Sequence, residues 1–335
     1  MPDELLADLI RSLAGALGTE LFVVKSVLTL FVMCLLCGLV GALVVGNRMA
    51  FFSDAMAHCA FAGVALGYLS VLFTGGDKAT AAWLIPVVMV VFGVLVGGLM
   101  VFVRDRTGLA HDTVIGVFFA FALGFGAMLV KLVQQESTVN LENFLFGNLY
   151  FISESDLALL LAALVLTFAA FLWRYNQLMF ASFNPSLART RRMSVTFNNY
   201  LFILLLALVV NLSIKAVGAL LINALLVVPA AAATNVSRNV RQMFWVTVAF
   251  SLLSGAIGYW FSHTQTISVG RIKNVSFGPS GVIVVASVAV FFGSMAVAAV
   301  WNRFAPIFGG QKFRRPGGSN PDDPCGVGHG FGQCP

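Results

Sequence analysis

Charged side chains are scarce in this 335-residue chain: Asp, Glu, Lys and Arg make up 10% of it, against 59% hydrophobic residues. Soluble domains carry about 25% charged residues, so the composition excludes a soluble domain on a single anchor. The chain is read as an integral membrane protein throughout, and a mean hydropathy of +0.93 agrees. Nucleotide signatures are also missing. No G-x-x-x-x-G-K-[ST] occurs, so an ATP-driven process would need its ATPase on another chain. No H-E-x-x-H occurs, and no Ser/His/Asp or Cys/His nucleophile set stands out among the four His. The chain is therefore read as a non-enzyme. A basic leader is lacking too: residues 1–20 carry four acids and one Arg, the wrong balance for a signal peptide. Cysteine is sparse, and Cys34, Cys37 and Cys59 lie in apolar runs, where they read as small buried hydrophobes rather than a disulfide framework.

What the chain does have is long apolar runs. Nine candidates cover roughly 22–46, 51–73, 80–103, 113–134, 155–174, 198–214, 216–235, 243–262 and 279–301. Most reach the about 20 residues needed to cross a hydrocarbon core of about 30 Å. The sixth and seventh are separated only around Lys215, so eight or nine spans are expected, with ten as an upper bound. Residues 1–21 read as an amphipathic external segment, 22–304 as the transmembrane domain, and 305–335, rich in Gly and Pro, as a disordered cytoplasmic tail. The net charge of +6 does not point to nucleic acid, because the basic residues gather in loops beside spans. With the N-terminus outside, 13 of the 20 Lys and Arg fall on the cytoplasmic side, including every large cluster; this predicts N-out, C-in. Pro229, late in the seventh run, is expected to kink that helix and free a carbonyl.

One pair of residues stands apart. Asp54 and His58 lie four apart inside Met49-AFFSDAMAHCAFAGVALGYLSVLF, so on a helix they share a face. Ionisable groups inside a span are expensive and mark functional sites, and Asp with His suits Zn, Mn or Fe. The structural alternative is that Asp54 caps the helix start while His58 bonds a neighbouring helix. If Arg48 marks the interface, His58 lies ten residues on, about 15 Å deep at ~1.5 Å per residue, near the membrane midplane. Two ligands are too few for a tight tetrahedral site; a second copy across a two-fold axis would make four. Three further groups have ligand chemistry: His263 at the external end of the eighth run, and the tail residues Cys325, His329 and Cys334, whose spacing matches no structural zinc pattern. The loop 174–197 is long and basic, with Asn184-Pro185-Ser186 as a helix-start signal before LARTRR.

These segments resemble the permease subunits of ATP-binding-cassette importers for zinc, manganese and iron. NRMAFFSDAMAHCAFAGVALG is similar to the family's basic-Met turn, acid, His and Gly-rich run. TGLAHDTVIGVFFAFALGFG, LENFLFGNLYFISESDL, VGALLINALLVVPAAAATNVSRN and SFGPSGVIVV follow in the same order. The resemblance covers about residues 22–301. It implies an all-α polytopic fold like the vitamin B12-type importer permeases, with Asp54 and His58 lining the path of a divalent ion, zinc foremost, then manganese or iron. It implies a homodimer or pseudo-dimer, two cytoplasmic ATPase subunits docking on Asn184, Ser186, Leu187, Ala188 and Arg189, and an extracytoplasmic metal-binding protein in a bacterial inner membrane. No permanently bound cofactor is implied. The sequence departs from the family at Ser53 and Arg192, where Gly is usual, and at Cys59. Two other transport readings stand beside it: a permease for an iron chelate, which a paired ligand set argues against, and an ion-coupled secondary transporter, for which an inverted repeat is expected.

Overall fold

The computed structural model describes residues 20–75, 78–133, 152–183, 194–264, 266–269, 272–276 and 278–304, with isolated positions at 10–12, 15, 18 and 147. Among these, nine helices are long and apolar enough to cross a membrane. In chain order they are α1 (Leu21–Gly46), α2 (Phe52–Thr74), α3 (Lys78–Thr107), α4 (His111–Val133), α5 (Glu154–Phe183), α6 (Val195–Val217), α7 (Ala219–Val236), α8 (Val240–Thr264) and α9 (Pro279–Phe304). The expected all-α polytopic architecture is observed.

Two packing groups form the bundle. In one, α2 packs on α3 and α4; in the other, α1 and α9 pack on α7 and α8. α6 bridges them by packing on α3, α2 and α5, and α5 also lies on α1. Side-chain contacts tie like ends together. Lys25 at the start of α1 donates to Glu154 at the start of α5 over 2.9 Å, and Asn47 at the end of α1 donates to Ser182 near the end of α5 over 2.9 Å. These two parallel helices are thereby pinned at both membrane faces.

Water is absent between helices in lipid, so close backbone approach replaces hydrophobic drive. α2 carries Gly63 and Gly67 one turn apart, and a Cβ at either would lie 2.9 Å from the Cα of Met89 or Ile85 of α3. α2 therefore lies directly against α3 along this stripe. α1 meets α7 in the same way: a Cβ at Gly41 would collide with the Leu226 carbonyl oxygen.

Three features differ from the sequence reading. The fifth helix does not stop at residue 174; it bends at Arg174 (φ −126°, ψ 15°) and continues to Phe183. The apolar residues Leu178 and Met179 keep that last stretch buried. The sixth and seventh helices break at Gly218 (φ 92°, ψ 157°) rather than at Lys215. A helix tolerates a lysine, whereas this backbone conformation is one that L side chains rarely adopt. α7 holds Pro229 inside it, buried, late in the element as the sequence places it. Finally, Thr266–Val269 and Ile272–Ser276 pair as an antiparallel hairpin between α8 and α9; the β-branched residues flanking Gly270 and Arg271 are its only sequence signal.

Candidate functional site

The site begins with a turn. α1 ends in a Schellman motif: Arg48 N–H bonds the Val45 carbonyl (3.1 Å) and Met49 N–H the Val44 carbonyl (3.0 Å). Arg48 sits in the left-handed region (φ 57°), which costs a non-glycine residue about 1–2 kcal/mol. The 6→1 and 5→2 bonds and the buried Met49 hold it there. α2 then starts within three residues, so Asp54 falls in its first turn.

Asp54 and His58 lie on one face of α2, as the spacing requires. Both are half-buried, and the same half-exposed stripe continues through Phe61, Val64, Tyr68 and Val71. The opposite face is closed: Ala55, Met56, Cys59, Ala60 and Ala62 are buried. Cys59, one position beyond His58, is a free and fully buried thiol. It does not share the face of the pair.

Each member of the pair is held by a different helix. Asn223 of α7 donates from Nδ2 to Asp54 Oδ1 over 2.9 Å. His58 packs its ring edge-on against Phe119 of α4, with centroids 4.9 Å apart and planes at 89°. Asp54 does not cap α2: the N-cap is Phe51, and no side chain bonds there. The cross-helix hydrogen bond foreseen for His58 is instead made by Asp54. An Asp at the centre of a span costs roughly 2.5–3.5 kcal/mol on the insertion scale, and Asp54, one turn nearer the interface than His58, bears less than that. A hydrogen bond to a charged group contributes about 1.5–3 kcal/mol, so Asn223 offsets much of that cost.

Sequence reasoning missed Asn223 and Phe119. A lone amide in LLINALLVVP was the available signal for the first; nothing distinguished Phe119 from the other aromatics around it. His263 is exposed near the end of α8, stacked on Tyr259 at 6.3 Å, and α8 packs on α1, α7 and α9. The fold does not bring it to the pair. Asn184, Ser186, Leu187, Ala188 and Arg189, and likewise Cys325, His329 and Cys334, lie outside the described residues. Among the described residues, no three His, Cys, Asp or Glu side chains come together as a metal-binding group.

The described helices thus form a polytopic membrane bundle with a half-buried polar pair on one face of a span. The chain belongs to the ABC 3 transport family, which it matches over residues 20–298. It is 29% identical over 278 residues to the manganese import system permease protein ScaB of Streptococcus gordonii, covering 83% of this chain and 91% of that one. It is 30% identical over 229 residues to the high-affinity zinc uptake system membrane protein ZnuB of Haemophilus influenzae, covering 68% and 83%. The fold is also that of PsaBC from Streptococcus pneumoniae, solved in complex with Fab (TM-score 0.69, 23% identity, 89% of this chain and 99% of that one).

Proposed function

We propose that this chain is the membrane permease subunit of an importer that moves a divalent metal ion, zinc foremost, with manganese or iron as the other candidates. The observation that carries the reading is the placement of Asp54 and His58, half-exposed on one face of a span whose other face is closed by packing. The named activities of the manganese and zinc relatives support the ion class. One protomer supplies a carboxylate and an imidazole; a second copy of the chain across a two-fold axis supplies the same again, giving four ligands of the type that suits these ions. Such a site is open enough to release its cargo.

The chain itself carries no nucleotide site in this reading. Two ATP-binding-cassette subunits on the cytoplasmic side dock on the segment holding Asn184, Ser186, Leu187, Ala188 and Arg189. An extracytoplasmic binding protein delivers the ion to the opposite face. ATP binding and hydrolysis rock the two permeases between outward- and inward-open states. Asp54 contributes charge and His58 a neutral nitrogen ligand as the ion passes. The chain sits in a bacterial cytoplasmic membrane with its N-terminus outside.

The test is ATP-dependent uptake of zinc, manganese and iron isotopes into vesicles holding the chain with its ATPase and binding protein. Uptake of one ion that collapses at least tenfold in both Asp54→Ala and His58→Ala, while the complex still assembles, supports the reading. Undiminished uptake in both variants refutes the site, and an intact wild-type complex that moves none of the three ions refutes the substrate.

A further inference from the structure

We infer that Asn223 is a positioning residue for the ion: it fixes the Asp54 carboxylate so that one oxygen stays committed to protein and the other faces the cargo. The inference rests on the reading of Asp54 and His58 as ligands.

The hydrogen bond between Asn223 Nδ2 and Asp54 Oδ1 joins residues 169 positions apart in sequence, on α7 and α2. The amide cannot be turned over, because presenting its carbonyl oxygen would set two acceptors against each other. Its carbonyl end, Oδ1, is buried and accepts nothing from a described residue, so no competing bond fixes the amide in another direction. Its helix is a firm support. Three residues further along α7, the Leu226 carbonyl lies against Gly41 of α1 so closely that a methyl group there would collide. α7 therefore cannot slide along α1 without losing that contact.

α2 is equally fixed from its other side, by Gly63 and Gly67 against α3. Asp54 is thus a short side chain between two clamped helices, with its Oδ1 tied. Oδ1 keeps one of its lone pairs on the amide, which leaves Oδ2 as the freer oxygen for a cation on the half-exposed face that His58 shares. Phe119 limits the ring of His58 in the same way. Partners that orient ligands without touching the ion are worth about 10–100-fold in metal affinity. This role predicts a change in the concentration dependence of transport rather than in its maximal rate.

The experiment compares the ion concentration at half-maximal uptake, KM, with the maximal rate in proteoliposomes of the assembled transporter. The variants are Asn223→Leu, which keeps the volume and removes the donor; Asn223→Ser, which is smaller and restores a donor; and Asp54→Asn as reference. Asn223→Leu is expected to raise KM at least tenfold with a maximal rate within about twofold of wild type, scaled to assembled complex, and Asn223→Ser to recover part of that loss. Equal KM in Asn223→Leu and wild type overturns the inference, as does a loss explained wholly by less assembled complex. Greater impairment in the Ser than in the Leu variant also overturns it, since volume and not the donor would then matter. If Asp54→Asn transports like wild type, the ligand reading itself fails and this inference falls with it; if Asp54→Asn is inactive while Asn223→Leu is normal, only the inference falls.

Discussion

Asp54 and His58 differ from the residues beside them because a helix turns neighbouring positions about 100° apart. Cys59 shows the consequence. A thiol next to a candidate ligand would favour softer ions if it shared the face, but it is fully buried on the far side of α2. Cys59→Ala is therefore expected to leave the ranking of zinc, manganese and iron unchanged and uptake within about twofold of wild type, measured by isotope competition. The small loss of packing volume should show only as a destabilisation of at most about 1–2 kcal/mol in thermal unfolding. At this scale the sequence was legible where periodicity alone decides, as for the shared face of Asp54 and His58. It was not legible where a partner comes from a distant segment. Nothing in the order of residues links Asn223 to Asp54, and the bond exists only because α7 is carried past the start of α2.

Among the elements, α2 is positioned by what it lacks. Gly63 and Gly67 let the backbone of α3 approach, and that approach sets the depth at which Asp54 and His58 are presented. Gly63→Val forces a branched side chain into the Cα of Met89, and overpacking of this kind costs about 1–3 kcal/mol. The expected result is a lower melting temperature of the purified protein in detergent, together with weaker uptake, because α2 must move away from α3. A melting temperature equal to wild type would contradict the packing account. The helices themselves were visible as apolar runs, and all nine correspond to observed spans. Their ends were less so. α5 continues past Arg174 because the kink there is local and the residues beyond it still bury Leu178 and Met179. The α6–α7 break falls at Gly218 because backbone conformation, not charge, ends a helix there. The hairpin between α8 and α9 is hard to read from sequence because two short strands within a connection give a weak alternating signal.

At the scale of the whole molecule, the two packing groups meet at few points, and the Asn223–Asp54 bond is one of them. A transporter of this type needs such groups to shift while the site stays intact. Orientation offers a test that needs no mutation. The tail cysteines Cys325 and Cys334 lie beyond the last span, while Cys34, Cys37 and Cys59 are buried. A membrane-impermeant maleimide should label intact cells little and label Cys325 and Cys334 once the membrane is opened. Labelling of both from outside would contradict the N-out, C-in arrangement. In the proposed mechanism the ion passes between Asp54 and His58. X-ray absorption on the zinc-loaded complex, arrested with a hydrolysis-deficient ATPase, tests it most directly. The expected spectrum has a nitrogen and oxygen shell at about 2.0–2.2 Å with imidazole scattering that disappears in His58→Ala. A sulfur shell at about 2.3 Å, or a spectrum that His58→Ala leaves unchanged, would contradict it.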